Sequence, residues 1–123
     1  MTSYPKVLIT DEEARQIALD LYGISGEVFA LPGWIDFNFR IEAEDRSYLL
    51  KVGRPDTKQD SLEFQLAILK HVAQSNTGII SPVPLPDLQG NYISETTDDS
   101  GTIRKIRLLT WVEGRLWSGV NPV

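Results

Sequence analysis

Residues 38–44, NFRIEAE, alternate strictly: Phe39, Ile41 and Ala43 fall on one side of an extended chain, and Arg40, Glu42 and Glu44 on the other. Successive side chains on a strand point to opposite faces, so this pattern commits the segment to a sheet with one apolar and one polar face. Asp45-Arg46 makes a tight turn into a second run at 47–52, SYLLKV, and PGWID (32–36) joins an earlier run at 27–31. Three strands therefore read as an antiparallel meander.

Helical periodicity brackets that meander. Thr10-Asp11-Glu12-Glu13 is a capping box, in which the Thr10 hydroxyl and the Glu13 carboxylate each satisfy the other's backbone amide. Ala14, Ile17, Ala18 and Leu21 follow at helical spacing and Gly23 ends the run, so a helix is predicted over 11–22. Residues 56–74 carry two apolar stripes: Leu62, Leu66, Leu69 and Ala73, and Phe64, Ala67, Ile68 and Val72. Apolar residues on nearly two sides predict a helix packed between a sheet and something else. Three prolines at alternate positions in SPVPLPDLQGNYI (81–93) make an edge or extended connector, because proline cannot donate to a ladder. Strands are predicted near 92–96 and over 103–112, and Glu113-Gly114 breaks the last one. The fold class expected is α+β: a five-stranded antiparallel sheet with the 56–74 helix packed on it and a short N-terminal helix.

At 123 residues the chain has room for one small domain. It has no cysteine, which excludes disulfides, thiolate metal sites and a cysteine nucleophile. A net charge of −5 with no basic stripe argues against nucleic acid or an anionic membrane as partner. The N-terminus lacks the basic head and apolar run of a signal peptide, no stretch approaches membrane-spanning length, and a cytoplasmic location is expected.

The order helix, three strands, helix, two strands, with a lysine on the third strand and a glutamate on the next helix, resembles the N-terminal lobe of the protein-kinase-like fold. It is most similar to the aminoglycoside phosphotransferase and choline kinase-like family, which also holds homoserine and hydroxylysine kinases. LPGWIDFNFRI (31–41) resembles that family's short phosphate loop, with an asparagine entering the second strand. YLLKV (48–52) resembles the third strand with its nucleotide lysine. SLEFQLAILKHV (61–72) resembles the helix carrying the lysine's carboxylate partner, and RLLTWVEGRLW (107–117) the fifth strand, the hinge and the start of the second lobe. The resemblance implies a kinase-like lobe over 1–114 and the beginning of a second lobe at 115–123. The catalytic aspartate motif and the metal-binding aspartate of the family do not occur in this sequence; its one histidine, His71, precedes Val72-Ala73. The expectation is a first lobe separated from the rest of its enzyme.

The site residues follow from that resemblance. Lys51 would hold nucleotide phosphates, and Glu63 would pair with Lys51, since a buried ammonium is costly unless paired. An edge-strand lysine whose head reaches water, and a solvated helix-face glutamate, are the alternatives. The Gly33 loop would cover the phosphates with backbone amides, Asn38 would bond the loop backbone, Asp36 would cap the turn, and Trp34 would shield the site or simply pack. Thr110 C=O and Val112 N–H would meet the adenine edge. ATP and Mg²⁺ are the expected ligands, with the metal ligands in the second lobe. Arg104, Lys105 and Arg107 read as a solvated strand face and His71 as a half-exposed helix residue without a metal role. The partners expected are a nucleotide, the absent second lobe, and a second copy meeting the apolar end formed by Trp111, Leu116, Trp117 and Val120. The rival readings are a non-catalytic regulatory or docking domain and an unrelated small sheet-and-helix binding domain with Lys51 on its surface.

Overall fold

The computed structural model describes residues 9–31, 37–44, 46–74, 82–98 and 100–112. Helix α1 (Asp11–Tyr22) starts at the capping box: the Glu13 amide donates to Thr10 Oγ1 at 3.1 Å, and the Thr10 amide donates to Glu13 Oε1 at 2.9 Å. It ends at Gly23, whose φ of 69° is the left-handed conformation that glycine adopts without a Cβ penalty. Strands β1 (Glu27–Leu31), β2 (Phe37–Glu42) and β3 (Ser47–Val52) form the antiparallel meander. Helix α2 (Gln59–Gln74) follows, then β4 (Pro84–Leu85), β5 (Ser94–Thr97) and β6 (Ile103–Thr110).

The sheet runs β1-β2-β3-β6-β4, with β5 also paired to β6. It therefore has six strands, where five were expected. The extra strand is β4, two residues long, in which Pro84 lies opposite Leu109. The proline-rich stretch reads from sequence as an edge or an extended connector, and Pro84–Leu85 form a short strand at the end of the sheet path. Other boundaries differ by a few residues: α2 begins at Gln59 rather than 56, and β6 ends at Thr110 rather than 112. The 53–58 segment is held elsewhere, with the Gly53 amide on the Lys105 carbonyl at 2.8 Å.

The two faces of the sheet differ. Phe39, Ile41, Leu50, Val52, Ile106 and Leu108 form one apolar layer, and α1 covers it with Ala14, Ile17, Ala18 and Tyr22. Arg104, on this same strand system, is wholly buried. Its Nε binds Asp98 Oδ2 at 2.9 Å and its guanidinium donates to the Gly53 carbonyl at 3.1 Å. The expected solvated face is thus corrected for this residue: a turn (Asp98) and a loop carbonyl, both remote in sequence from it or outside its strand, supply its partners. The Ser100 hydroxyl bonds Asp98 and, against the opposing effect of burial, it joins the Thr102 and Ser100 amides and Arg104 in holding the Asp98 carboxyl down at about 2.

Helix α2 lies over the opposite face. Leu62 and Leu66 are buried on it, and Leu49 and Leu109 are buried on the sheet. The second apolar stripe of α2 is open to solvent, with Phe64 68% and Ile68 47% exposed. Tyr92, from the segment before β5, receives the Lys70 ammonium over its ring at 3.6 Å, a cation–π contact that ties α2 to this edge.

Candidate functional site

Strand register places Asn38 opposite Lys51, and Lys51 opposite Arg107. Directly paired residues on antiparallel strands share a face, so these three side chains form one polar row across β2, β3 and β6. The row lies on the α2 face, because Arg107 reaches Gln65 of that helix: its guanidinium donates to Gln65 Oε1 at 2.7 Å. Lys51 is half-buried, and its Nζ donates to Asn38 Oδ1 at 2.9 Å. Two adjacent cations repel, and here they bond in different directions, Lys51 along the sheet and Arg107 toward the helix. Both of these acceptors are amide oxygens.

Arg107 is 2% exposed. The expected solvated cluster is therefore corrected here too, and only Lys105 keeps a partly exposed side chain, bound to Glu95 Oε2 at 2.6 Å. Gln65 and Arg107 were not singled out as site residues in the sequence. The available cue was an arginine set between Ile106 and Leu108. Its place beside Lys51 depends on β3–β6 pairing, and its acceptor lies 42 residues away.

Glu63 sits exposed on α2, and its carboxylate accepts from Gln59 Nε2 at 3.1 Å, one helical turn back. Where the resemblance led us to expect a Lys51–Glu63 pair, the hydrogen bonds described are Lys51 to Asn38 and Gln59 to Glu63. Asn38, expected to bond the loop backbone, accepts from the lysine, and residues 32–36 of that loop lie outside the described residues.

At the end of β6, the Thr110 amide donates to the Val83 carbonyl at 3.0 Å and Thr110 Oγ1 accepts from the Val83 amide at 2.9 Å. Val83 thus pins the strand where Thr110 and Val112 were expected to offer their main chain; Val112 is buried. Between them Trp111 receives the Arg40 guanidinium over its ring at 4.8 Å, and Arg40 also pairs with Glu42 Oε2 at 3.0 Å. Gly33, Trp34 and Asp36 lie outside the described residues, as do Leu116, Trp117 and Val120. His71 is exposed, and among the described residues no group of three or more His, Cys, Asp or Glu is placed to hold a metal. The resemblance places the ligands of Mg²⁺ in a second lobe. Among the same residues no helix is long and apolar enough to cross a membrane.

A meander, a half-buried lysine on its third strand, a covering helix and a pinned strand end make up the geometry of the site. Residues 28–123 match the model of the phosphotransferase enzyme family. The chain belongs to that family. Its fold is also that of solved kinases. An amicoumacin kinase, solved with AMP-PNP, Ca²⁺ and Ami, superposes with a TM-score of 0.71 at 18% identity, covering 87% of this chain and 32% of that one. A microcompartment-associated aminopropanol kinase gives 0.70 at 21% identity, with 84% and 32% covered. A spectinomycin phosphotransferase, solved with ADP and spectinomycin, gives 0.62 at 17% identity, with 87% and 31% covered. This chain spans about a third of the length of each of these kinases. Among curated proteins, none matches the sequence.

Proposed function

We propose that this phosphotransferase-family chain is the nucleotide-binding part of an enzyme that moves the γ-phosphoryl group of ATP to a hydroxyl of a small molecule. The observation that carries the reading is Lys51: a half-buried ammonium on β3, held by Asn38 and flanked by Arg107, on the face that α2 covers. Phosphoryl transfer depends on positioning and on stabilising charge over the phosphate oxygens, and a fixed cation on a rigid sheet supplies both. Lys51 would hold the α- and β-phosphate oxygens. The Gly33 loop would cover them with amides, and the main chain at Thr110 and Val112 would meet the adenine edge. Pairing of Glu63 with Lys51 would require its present bond to Gln59 to be exchanged. That two of the kinases sharing the fold were solved with AMP-PNP or ADP supports a nucleotide as ligand.

The general base and metal ligands are expected in a second lobe, so the 123 residues alone would bind Mg·ATP weakly and transfer no phosphoryl group. The second lobe would also select the acceptor, and the intact protein would work in the cytoplasm. The exposed Phe64 and Ile68 of α2 favour a second reading, a regulatory or docking domain that meets a partner through this helix. Self-association through the Trp111 end is a further proposal of this kind.

Calorimetry of the chain with Mg·ATP tests the main reading. Weak binding that is abolished by Lys51→Met supports it. No interaction at millimolar nucleotide, or binding indifferent to Lys51, favours the docking domain.

A further inference from the structure

We propose that Arg40 is a positioning residue for the base end of the site: stacked on Trp111, it holds from β2 the strand end whose main chain would meet the nucleobase. The consequence for ligand binding rests on the nucleotide reading of the site, but the geometry does not. Arg40 lies opposite Leu49 of β3, which lies opposite Leu109 of β6. Directly paired residues share a face, so Arg40 stands on the α2 face, one row along from Asn38, Lys51 and Arg107. Its guanidinium reaches a further row on, pairing with Glu42 Oε2 at 3.0 Å and donating to Ser47 Oγ at 3.5 Å. Strand β3 separates β2 from β6, which places those two strands about 10 Å apart. Two long side chains bridge that gap, and Ser47, on the strand between, is small enough to let the guanidinium face the Trp111 ring at 4.8 Å. A planar guanidinium suits such a stack better than an ammonium does. The strand end is therefore gripped on two sides: Val83 holds Thr110 from beside β4, and Arg40 holds Trp111 from β2. Arg40 and Trp111 also take part in further interactions, so the stack adds to the hold on the strand end and is not its sole source. Glu42 stands four residues beyond Asn38 on β2, about 13 Å. The head of Arg40 is thus farther from the Lys51 row than the screening length of about 8 Å at physiological salt. The α2 face has a phosphate end at Lys51 and a base end at Arg40 and Trp111, and a nucleoside triphosphate is long enough to reach both.

The test compares adenosine with inorganic tripolyphosphate in NMR shift titrations of the 123-residue chain, with amide spectra reporting that each variant is folded. Arg40→Ala should weaken adenosine binding by about fivefold, the size of a partly exposed cation–π contact. It should change tripolyphosphate binding by less than about twofold, because the phosphate end lies beyond the screening length. Trp111→Leu should lose adenosine to a similar extent, and the double variant should lose no more than the larger single one, since both remove the same contact. Trp111→Phe, which keeps an aromatic face, should retain most of the affinity. Glu42→Gln should alter it by less than about twofold, as for other partly exposed ion pairs. If Arg40→Ala does not fold, Arg40→Gln, which keeps the stem and loses the charge, serves in its place. Hydrogen exchange at the Thr110 and Val112 amides reads the hold without any ligand and should quicken by about fivefold in the Arg40 variant. Adenosine binding that is unchanged or tightened in a folded Arg40 variant overturns the proposal. So does an equal loss of tripolyphosphate, a loss on Glu42→Gln as large as that on Arg40→Ala, or additive losses in the double variant. If the wild-type chain binds no adenosine, or Lys51→Met binds ATP like wild type, the nucleotide reading fails, while exchange at Thr110 and Val112 still decides whether Arg40 holds the strand end.

Discussion

Leu50 and Lys51 are neighbours in the chain and belong to different halves of the molecule. Leu50 points into the α1 face, where β1, β2, β3 and β6 contribute buried apolar side chains and a buried cation, Arg104, is bound by Asp98 and the Gly53 carbonyl. Lys51 points into the α2 face, where Asn38, Lys51 and Arg107 cross the sheet in a row and the covering helix still shows Phe64 and Ile68 to solvent. The α1 face is a completed core. The α2 face is half core and half polar platform, and the period of two in each strand allows one short sheet to carry both.

If this division holds, substitutions on the α1 face act on stability. The largest effect is expected for Arg104→Ala, which leaves Asp98 buried without its cation; breaking a buried pair costs about 3–5 kcal/mol, readable by urea denaturation. A loss below about 1 kcal/mol, the range of exposed ion pairs, would break the contrast. Leu50→Ala comes next, at about 2–5 kcal/mol for a cavity in a closed core. Its neighbour sharpens the comparison: Lys51→Met should leave stability almost unchanged or raise it, since exchanging a partly buried charge for an apolar side chain is often neutral. A large loss of stability on Lys51→Met would make that lysine a structural residue.

The pH dependence should likewise come from the closed face. Asp98 is held at about 2 by the hydrogen bond from Ser100 and its other donors, below an unfolded carboxylate near about 3.9. The folded state therefore binds this proton less readily than the unfolded state. The stability it contributes is fully present above about pH 4 and is lost as pH falls toward 2. Asp98→Asn should flatten the acid limb of a stability–pH curve in that window. At the other extreme, burial pushes the Tyr22 hydroxyl up to about 12, so its contribution is present below pH 10 and is lost as pH rises through 12. Its bond to Ser94 is long, 3.4 Å, and Tyr22→Phe should cost no more than about 1 kcal/mol.

The sequence carried the α1 face almost completely. Thr10 and Glu13 named their own cap, Gly23 its end, and Phe39 and Ile41 their side of the sheet, because each signal is local or periodic. The family resemblance was legible in YLLKV and its surroundings, and the family match bears it out. What was not legible depends on partners brought together by folding. Arg104 and Arg107 read as solvated because nothing near them in sequence could pay for their burial; Asp98 sits in a turn and Gln65 on a distant helix. They also stand three residues apart on one strand, so they face opposite sides, which a cluster of like charges in a string of letters conceals. Asn38 was picked out, but its bond to Lys51 follows from the register of β2 against β3, which a turn signal at 45–46 alone does not specify.

We infer that the α2 face is the ligand-binding one. Amide NMR of the labelled chain during an ATP titration tests it most directly. The expected shifts concentrate at Asn38, Lys51, Arg107 and the Thr110 to Val112 end of β6 and saturate at millimolar ATP, while Ala14, Ile17, Leu50 and Arg104 stay still. Shifts centred on α1 and its face, or a spectrum unchanged at millimolar ATP, would contradict it.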